Sequence, residues 1–294
     1  MELNGSRLAF TTDSYVVKPL FFPGGSIGEL AVNGTVNDLA VAGAQPLALS
    51  AGFVVEEGLP LDELRRVAHA MAAAAKAAGV PVATGDTKVV ERGKADGLYV
   101  TTAGVGVLAP GVELGAERAR PGDRVLVSGS LGDHGMAVMI ARGDLRLEAD
   151  IESDTASVCE LAAALLELGD GLRWMRDPTR GGLATALNEL ARESKAAVVL
   201  DESALPVRPE VAGACEILGI DPLYVANEGK LVAVVSDDAA PAALAALQAH
   251  PLGAEAALVG TIRDDPLGLV LLDTALGGSR IVDMLVGDPL PRIC

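Results

Sequence analysis

Residues 47–86 read LALSAGFVVEEGLPLDELRRVAHAMAAAAKAAGVPVATGD, and this stretch decides the fold class. Residues 47–57 are an apolar, strand-like run. Pro60-Leu61-Asp62 opens a helix that the spacing predicts to last to about residue 78, with Leu61, Leu64, Val67, Ala68 and Met71 on one face. Gly79 stops it, and residues 80–84 form a second, buried strand ended by Gly85-Asp86. Strands alternating with helices mean an α/β protein.

The pattern extends in both directions. Residues 7–12 read as a strand running into Asp13-Ser14, Pro23-Gly24-Gly25-Ser26 as a turn that caps a helix, and residues 27–43 as that helix. Residues 98–108 are a long strand. Residues 110–121 are turn-rich and carry charges of both signs, which places a boundary there: a first domain over 1–115, a second over 116–285 and a flexible tail over 286–294. The second half opens with a strand at 123–128. Helices follow at 154–168 and 182–195, strands at 196–200 and 230–236, and a helix at 238–250. Residues 256–262 and 269–273 are expected to pair as strands.

The 294 residues suit two domains. A net charge of −17 repels phosphate backbones and anionic lipid, so neither nucleic acid nor a membrane surface is an expected partner. The composition, 50% hydrophobic and 21% charged, is globular. The most apolar runs, 70–78 and 161–168, are too short to span a bilayer. Three cysteines without a C-x-x-C argue for a reducing, cytoplasmic location.

Four carboxylates stand at predicted strand ends or helix starts beside Gly, Thr or Asn. They are Asp13 in Thr-Thr-Asp-Ser, Asp38 in Val-Asn-Asp-Leu, Asp86 in Gly-Asp-Thr-Lys and Asp133 in Gly-Asp-His-Gly. Hard oxygen ligands on separate turns, with Lys88 two residues past Asp86, suit magnesium with a nucleotide; helix caps and Asx turns are the other reading. Gly24-Gly25-Ser26 and Arg180-Gly181-Gly182 each precede a helix and could hold an anion. Met-Arg-Asp-Pro-Thr-Arg-Gly-Gly, ending at Gly182, supplies Arg176, Asp177 and Arg180 to such a site, or an Arg–Asp brace within a loop. Glu228 in Asn227-Glu228-Gly229-Lys230, between an apolar strand-like run at 223–226 and the next strand, is either a tuned general base or a solvated turn residue. His134 reads as a structural hydrogen bonder, His69 and His250 as helix-surface residues, and Cys159 and Cys215 as small core residues. Asp288-Pro289-Leu290-Pro291-Arg292-Ile293-Cys294 is a proline-stiffened end carrying a thiol, a nucleophile and carrier atom.

Together these pieces resemble one family, the HypE carbamoyl dehydratases of nickel–iron hydrogenase maturation. The resemblance runs from Leu8 to Cys294. It rests on Thr11-Thr12-Asp13-Ser14, Phe21-Phe22-Pro23-Gly24-Gly25, Gly34-Thr35-Val36-Asn37-Asp38-Leu39-Ala40, Thr84-Gly85-Asp86-Thr87-Lys88, the runs 128–135, 175–182 and 221–230, and the terminal Pro-Arg-Ile-Cys. The first half is shared with the aminoimidazole ribonucleotide synthetase and selenophosphate synthetase superfamily; the terminal motif discriminates.

The resemblance implies a two-domain, PurM-like α/β architecture: an N-terminal ATP-binding and dimerisation domain, then a C-terminal α/β domain. It implies that Cys294 receives a carbamoyl group from the carbamoyltransferase HypF and that ATP and Mg²⁺ drive its dehydration to a thiocyanate. The cyanide then passes to the HypC–HypD iron-assembly scaffold. Residue by residue, Cys294 matches the carrier, Glu228 the base and Lys88 its support. Asp13, Asp38 and Asp86 match metal-side carboxylates. Thr12, Asn37, Thr87, Arg176, Asp177, Thr179, Arg180 and Gly181 match the nucleotide side. Relatives carry a glycine-rich segment and an Asp-Asp strand upstream of the position of Met1, so nucleotide affinity and the first sheet's edge are expected to differ here; Ser26 stands where relatives often carry an acidic residue. The alternatives are a docking protein of the maturation complex, weakened in catalysis, and a small-molecule kinase or synthetase of the superfamily.

Overall fold

A computed structural model describes residues 1–3, 5–143, 149–287, 290 and 293–294. The first half holds β1 (Glu2–Leu3), β2 (Ser6–Tyr15), a short hairpin of β3 (Phe21–Phe22) and β4 (Gly25–Ser26), then α1 (Ile27–Val41), β5 (Ala44–Glu56), α2 (Leu61–Ala77), β6 (Val82–Val90) and β7 (Leu98–Leu108). Its sheet runs β1-β2-β7-β5-β6, with only β5 and β6 parallel. Ser26 caps α1 as the turn chemistry predicts, its Oγ accepting the Gly28 N–H at 3.1 Å. Every residue of α1 except Glu29 and Asp38 is buried, so Asp38 is held at the helix surface by a fully packed support.

The second half holds β8 (Arg124–Val127), α3 (Asp133–Ala141), α4 (Cys159–Leu166), β9 (Leu172–Arg176), α5 (Gly182–Ser194), β10 (Ala197–Asp201) and α6 (Pro209–Leu218). It ends with β11 (Val232–Val235), α7 (Ala240–Gln248), β12 (Ala257–Arg263), β13 (Val270–Asp273) and β14 (Ser279–Ile281). The seven-stranded sheet runs β14-β13-β10-β12-β8-β11-β9. Both halves are mixed α/β layers, the expected fold class.

Several local expectations are corrected. The buried face of α2 is Val67, Met71, Ala74 and Ala75; Leu61 is 66% exposed and Ala68 is exposed. The reason is that α2 leans on α1 at Gly28, where an added Cβ would lie 2.5 Å from the Val67 carbonyl oxygen, and does not cover the sheet. Consequently β6, expected as a buried strand ending at Gly85-Asp86, continues to Val90 as an exposed edge. Residues 154–158, expected to begin a helix, are non-helical; α4 starts at Cys159 because the preceding amides bond elsewhere. Residues 223–226 are a buried turn, not a strand. β12 and β13 do not pair with each other but flank β10. His250 follows α7 and accepts the Leu252 N–H. α3, β9 and α6 lie outside the elements that the spacing predicts.

One apolar cluster crosses from the first half to the second. It joins Ile27, Leu30, Val36 and Val67 to Met136, Val225, Leu290 and Ile293, so the chain's end is packed in the core. Among the described residues, no helix is long and apolar enough to cross a membrane.

Candidate active site

The side-chain alternation of β2 turns Thr11, Asp13 and Tyr15 toward α1. There Thr35 Oγ1 donates to Asp13 Oδ2 at 2.7 Å and Thr11 Oγ1 donates to Asp38 Oδ2 at 2.6 Å. Each hydroxyl fixes one carboxylate and leaves its other oxygen for a ligand. Tyr15 is buried with its hydroxyl against Gly34, where a Cβ would stand 2.0 Å away, so only glycine admits it.

The second half contributes two loops. β9 ends at Arg176, and Gly181, in the left-handed region at φ 74°, opens α5. Asn227 joins this loop to its neighbours: its Nδ2 donates to the Pro178 carbonyl at 3.0 Å and its Oδ1 accepts the Gly132 N–H at 2.7 Å. Glu228 follows, 3% exposed, so the solvated-turn reading falls. Its N–H donates to Asp154 Oδ1 at 3.0 Å, and its carbonyl accepts Asn37 Nδ2 at 3.2 Å. Lys230 Nζ lies 3.3 Å from Asp154 Oδ2.

These parts enclose a cavity of about 320 Å³ lined by Thr12, Asp13, Ser14, Tyr15, Gly34, Asp38, Asp177, Thr179, Arg180, Glu228 and Cys294. The end of the chain enters it directly. A main-chain oxygen of Cys294 accepts the Val16 N–H at 3.2 Å, and Arg180 Nη2 lies 3.9 Å from Cys294 Sγ. Asp288, Pro289, Pro291 and Arg292 of the terminal motif lie outside the described residues.

The cavity concentrates negative charge. Burial, and after it the charges of Asp177, Asp154, Asp13 and Asp38, push the Glu228 carboxyl well above its ordinary range. Burial and Asp38 push Asp177 up to about 7. Asp13 is raised by burial and Asp38 against the opposing pull of Thr35 and Arg180. Tyr15 is raised by burial, then by Asp13 and Glu228. Such repulsion, uncompensated by enough local cations, is what a divalent cation relieves. Among the described residues no three His, Cys, Asp or Glu side chains form a metal cage. Magnesium bound with a nucleotide takes one or two carboxylates and completes its shell with phosphate oxygens and water, so the Asp13–Asp38 pair fits it.

Several expected site residues stand elsewhere. Asp86, Thr87 and Lys88 are exposed on β6, three strands from β2, roughly 14 Å at ~4.8 Å per strand. One chain does not bring Lys88 to Glu228, or Asp86 to Asp13 and Asp38. Asn37 is spent on main-chain partners, donating to Ala156 and Glu228 and accepting from Val158 at 2.8 Å. Arg176 pairs with Glu189 at 3.1 Å outside the cavity. Asp133 is buried at the start of α3, bonded to Ser130 and 3.5 Å from Arg208. Tyr15, Thr35 and Asp154 escaped sequence reasoning. The strand period, two residues past Asp13, could have found Tyr15; nothing local marks Asp154.

Two families match the chain: the AIR synthase related protein N-terminal domain over residues 1–108 and its C-terminal domain over residues 120–271. The carbamoyl dehydratase HypE of Rhizobium leguminosarum bv. viciae is 58% identical over 291 residues, covering 99% of this chain and 83% of that protein. A crystal structure of the hydrogenase maturation protein HypE in complex with ATP superposes with a TM-score of 0.94 at 48% identity, covering 100% of this chain and 89% of the other. A crystal structure of a HypE–HypF complex gives a TM-score of 0.92 at 48% identity, covering 96% and 92%.

Proposed function

This chain belongs to the HypE carbamoyl dehydratase family, and from that premise we propose that it dehydrates a carbamoyl group carried on its own Cys294 to a thiocyanate. The observation that carries the proposal is the meeting of Cys294, Glu228, Asp13 and Asp38 in one cavity.

ATP, bound with Mg²⁺, supplies the phosphoryl group that makes the amide oxygen a leaving group. Asp13 and Asp38 are the residues that would hold the cation, and Thr179, Arg180 and the N-terminus of α5 at Gly181 stand where phosphate oxygens would be met. Arg180 also faces the thiol, so one guanidinium spans the carrier and the anion site. Glu228 would take the protons that leave the carboxamide nitrogen. Burial among carboxylates strengthens it as a base, and its main chain is braced by Asp154 and Asn37. The covalent tether makes the substrate effectively unimolecular.

Lys88 and Asp86 fit this scheme if β6 of a second copy brings them. Phe10, 68% exposed, and Lys88 both lie on the face of the first sheet turned away from α1, and an exposed aromatic there supports a homodimer through that face. We further take HypF as carbamoyl donor and the HypC–HypD scaffold as acceptor. A reducing cytoplasm suits the three free cysteines.

The test is to add Mg·ATP to carbamoylated protein and weigh the C-terminal peptide. Loss of one water, dependent on ATP, supports the dehydratase; no loss with ATP bound overturns it. A Cys294→Ala protein with undiminished ATP turnover would instead support a small-molecule kinase.

A further inference from the structure

His134 takes no part in the chemistry above, yet it stands at the root of the tail. It is fully buried on α3, its ring edge-on to Phe22 at 5.6 Å between centroids. Its Nε2 lies 2.7 Å from the Ile293 carbonyl oxygen. A carbonyl only accepts, so Nε2 carries the proton. Its Nδ1 lies 2.8 Å from Ser153 Oγ, which itself accepts the Thr155 N–H at 3.1 Å. The serine hydroxyl therefore donates to Nδ1. Every donor and acceptor in the series is matched for a neutral ring, and burial, which lowers the imidazole pKa, keeps it neutral.

We infer that His134, oriented by Ser153, is the positioning residue for Cys294: it holds the carbonyl one residue before the thiol and so sets where the sulfur stands against Arg180 and Glu228. The inference rests on Cys294 being the carrier. Leu290 and Ile293, 2% and 6% exposed, anchor the tail by burial, but burial is non-directional and tolerates sliding or rotation of the end. A hydrogen bond to a buried carbonyl is directional. Without the donor, that carbonyl would be buried and unpaired, and undocking would relieve the cost.

The test labels Cys294 with a polyethylene-glycol maleimide too bulky for the cavity and assigns the label by the mass of the C-terminal peptide. In the same proteins the single-turnover loss of water and the Kd for Mg·ATP are measured. His134→Leu is expected to label about three- to tenfold faster and to turn over more slowly by a similar factor, with Kd unchanged. His134→Gln, whose side-chain amide reaches the same carbonyl, is expected to restore both. Ser153→Ala should move labelling in the same direction and serves if His134→Leu does not fold. Wild-type labelling in the variants, or a His134→Gln that behaves like His134→Leu, overturns the inference. If the wild-type protein loses no water with ATP, the dehydratase reading fails, while the labelling still decides the role of His134.

Discussion

The Glu228 amide N–H donates to Asp154 Oδ1 at 3.0 Å, and the other oxygen of that carboxylate lies 3.3 Å from the Lys230 ammonium. One buried carboxylate thus braces the residue before Gly229 and neutralises the residue after it. Gly229 itself has no room for a side chain, since a Cβ would lie 1.7 Å from the Asp154 carbonyl oxygen. Asp154→Ala leaves Lys230, 8% exposed, without its counter-charge. We expect a loss of about 3–5 kcal/mol in urea unfolding, with Asp154→Asn losing less because it keeps the acceptor.

Glu228→Gln removes the proposed base with little change of shape. The rate of ATP-dependent water loss at Cys294 should fall by about 10²–10⁴ while calorimetry still shows ATP binding. Because Glu228 sits among Asp177, Asp154, Asp13 and Asp38, the nucleotide-free variant should also melt higher than the wild type at pH 8. A variant with full activity would remove Glu228 from the mechanism.

Asp177 gives the pH dependence a sign. Its folded pKa of about 7 lies above the ordinary 3.8, so between these values the folded state holds a proton that the unfolded state has lost. Stability therefore falls as pH rises through this window. In the absence of nucleotide, the gap in Tm between Asp177→Asn and wild type should widen from pH 5 to pH 8. A constant gap would contradict the assignment.

Asp13→Asn and Asp38→Asn should each weaken ATP binding measured with Mg²⁺ more than binding measured in EDTA, because these two cavity carboxylates are the proposed holders of the cation. Equal weakening in both conditions would assign them to the nucleotide or to the fold instead.

If Lys88 acts from a second copy, a Lys88→Ala protein mixed with a Glu228→Gln protein should recover activity that neither has alone. Random exchange would restore about a quarter of the sites. A protein that is monomeric by light scattering yet fully active would exclude the shared site.

The first half is more legible than the second, in which α3, β9 and α6 lie outside the expected elements. The strand at 98–108 and the helix at 182–195 emerge within one residue of their expected bounds, because period and punctuation are local properties. The Ser26 cap and the Gly79 stop, at φ 68°, are likewise written in single residues. The terminal Pro-Arg-Ile-Cys motif discriminates the family within its superfamily, and the resemblance supplies the candidate carrier and base.

What the local pattern cannot express is which surface each element meets. The apolar residues of α2 are compatible with a sheet below it, yet Gly28 allows α1 to approach closely, and that contact selects Val67 and Met71 over Leu61 and Ala68. β6 is left at an exposed edge as a result. Asn37 and Arg176 have the chemistry to bind a nucleotide, but the first is occupied by three main-chain groups and the second by Glu189. Whether a polar side chain is available is settled by its hydrogen-bond and ion-pair partners, and those of Asn37 come from residues over a hundred positions away.

The sequence by itself determined the α/β class, the capped and glycine-stopped helices, the inventory of carboxylates and the thiol at the end. Those follow from short-range backbone preferences and from residue identity. Only the tertiary structure decided that Asp13, Asp38, Asp177, Glu228 and Cys294 share one cavity, that Lys88 does not join them within one chain, and that His134 holds the tail. Those facts depend on how two separately assembled sheets pack through one core. The burial and mutual repulsion that tune the carboxylates exist only once that packing has excluded water.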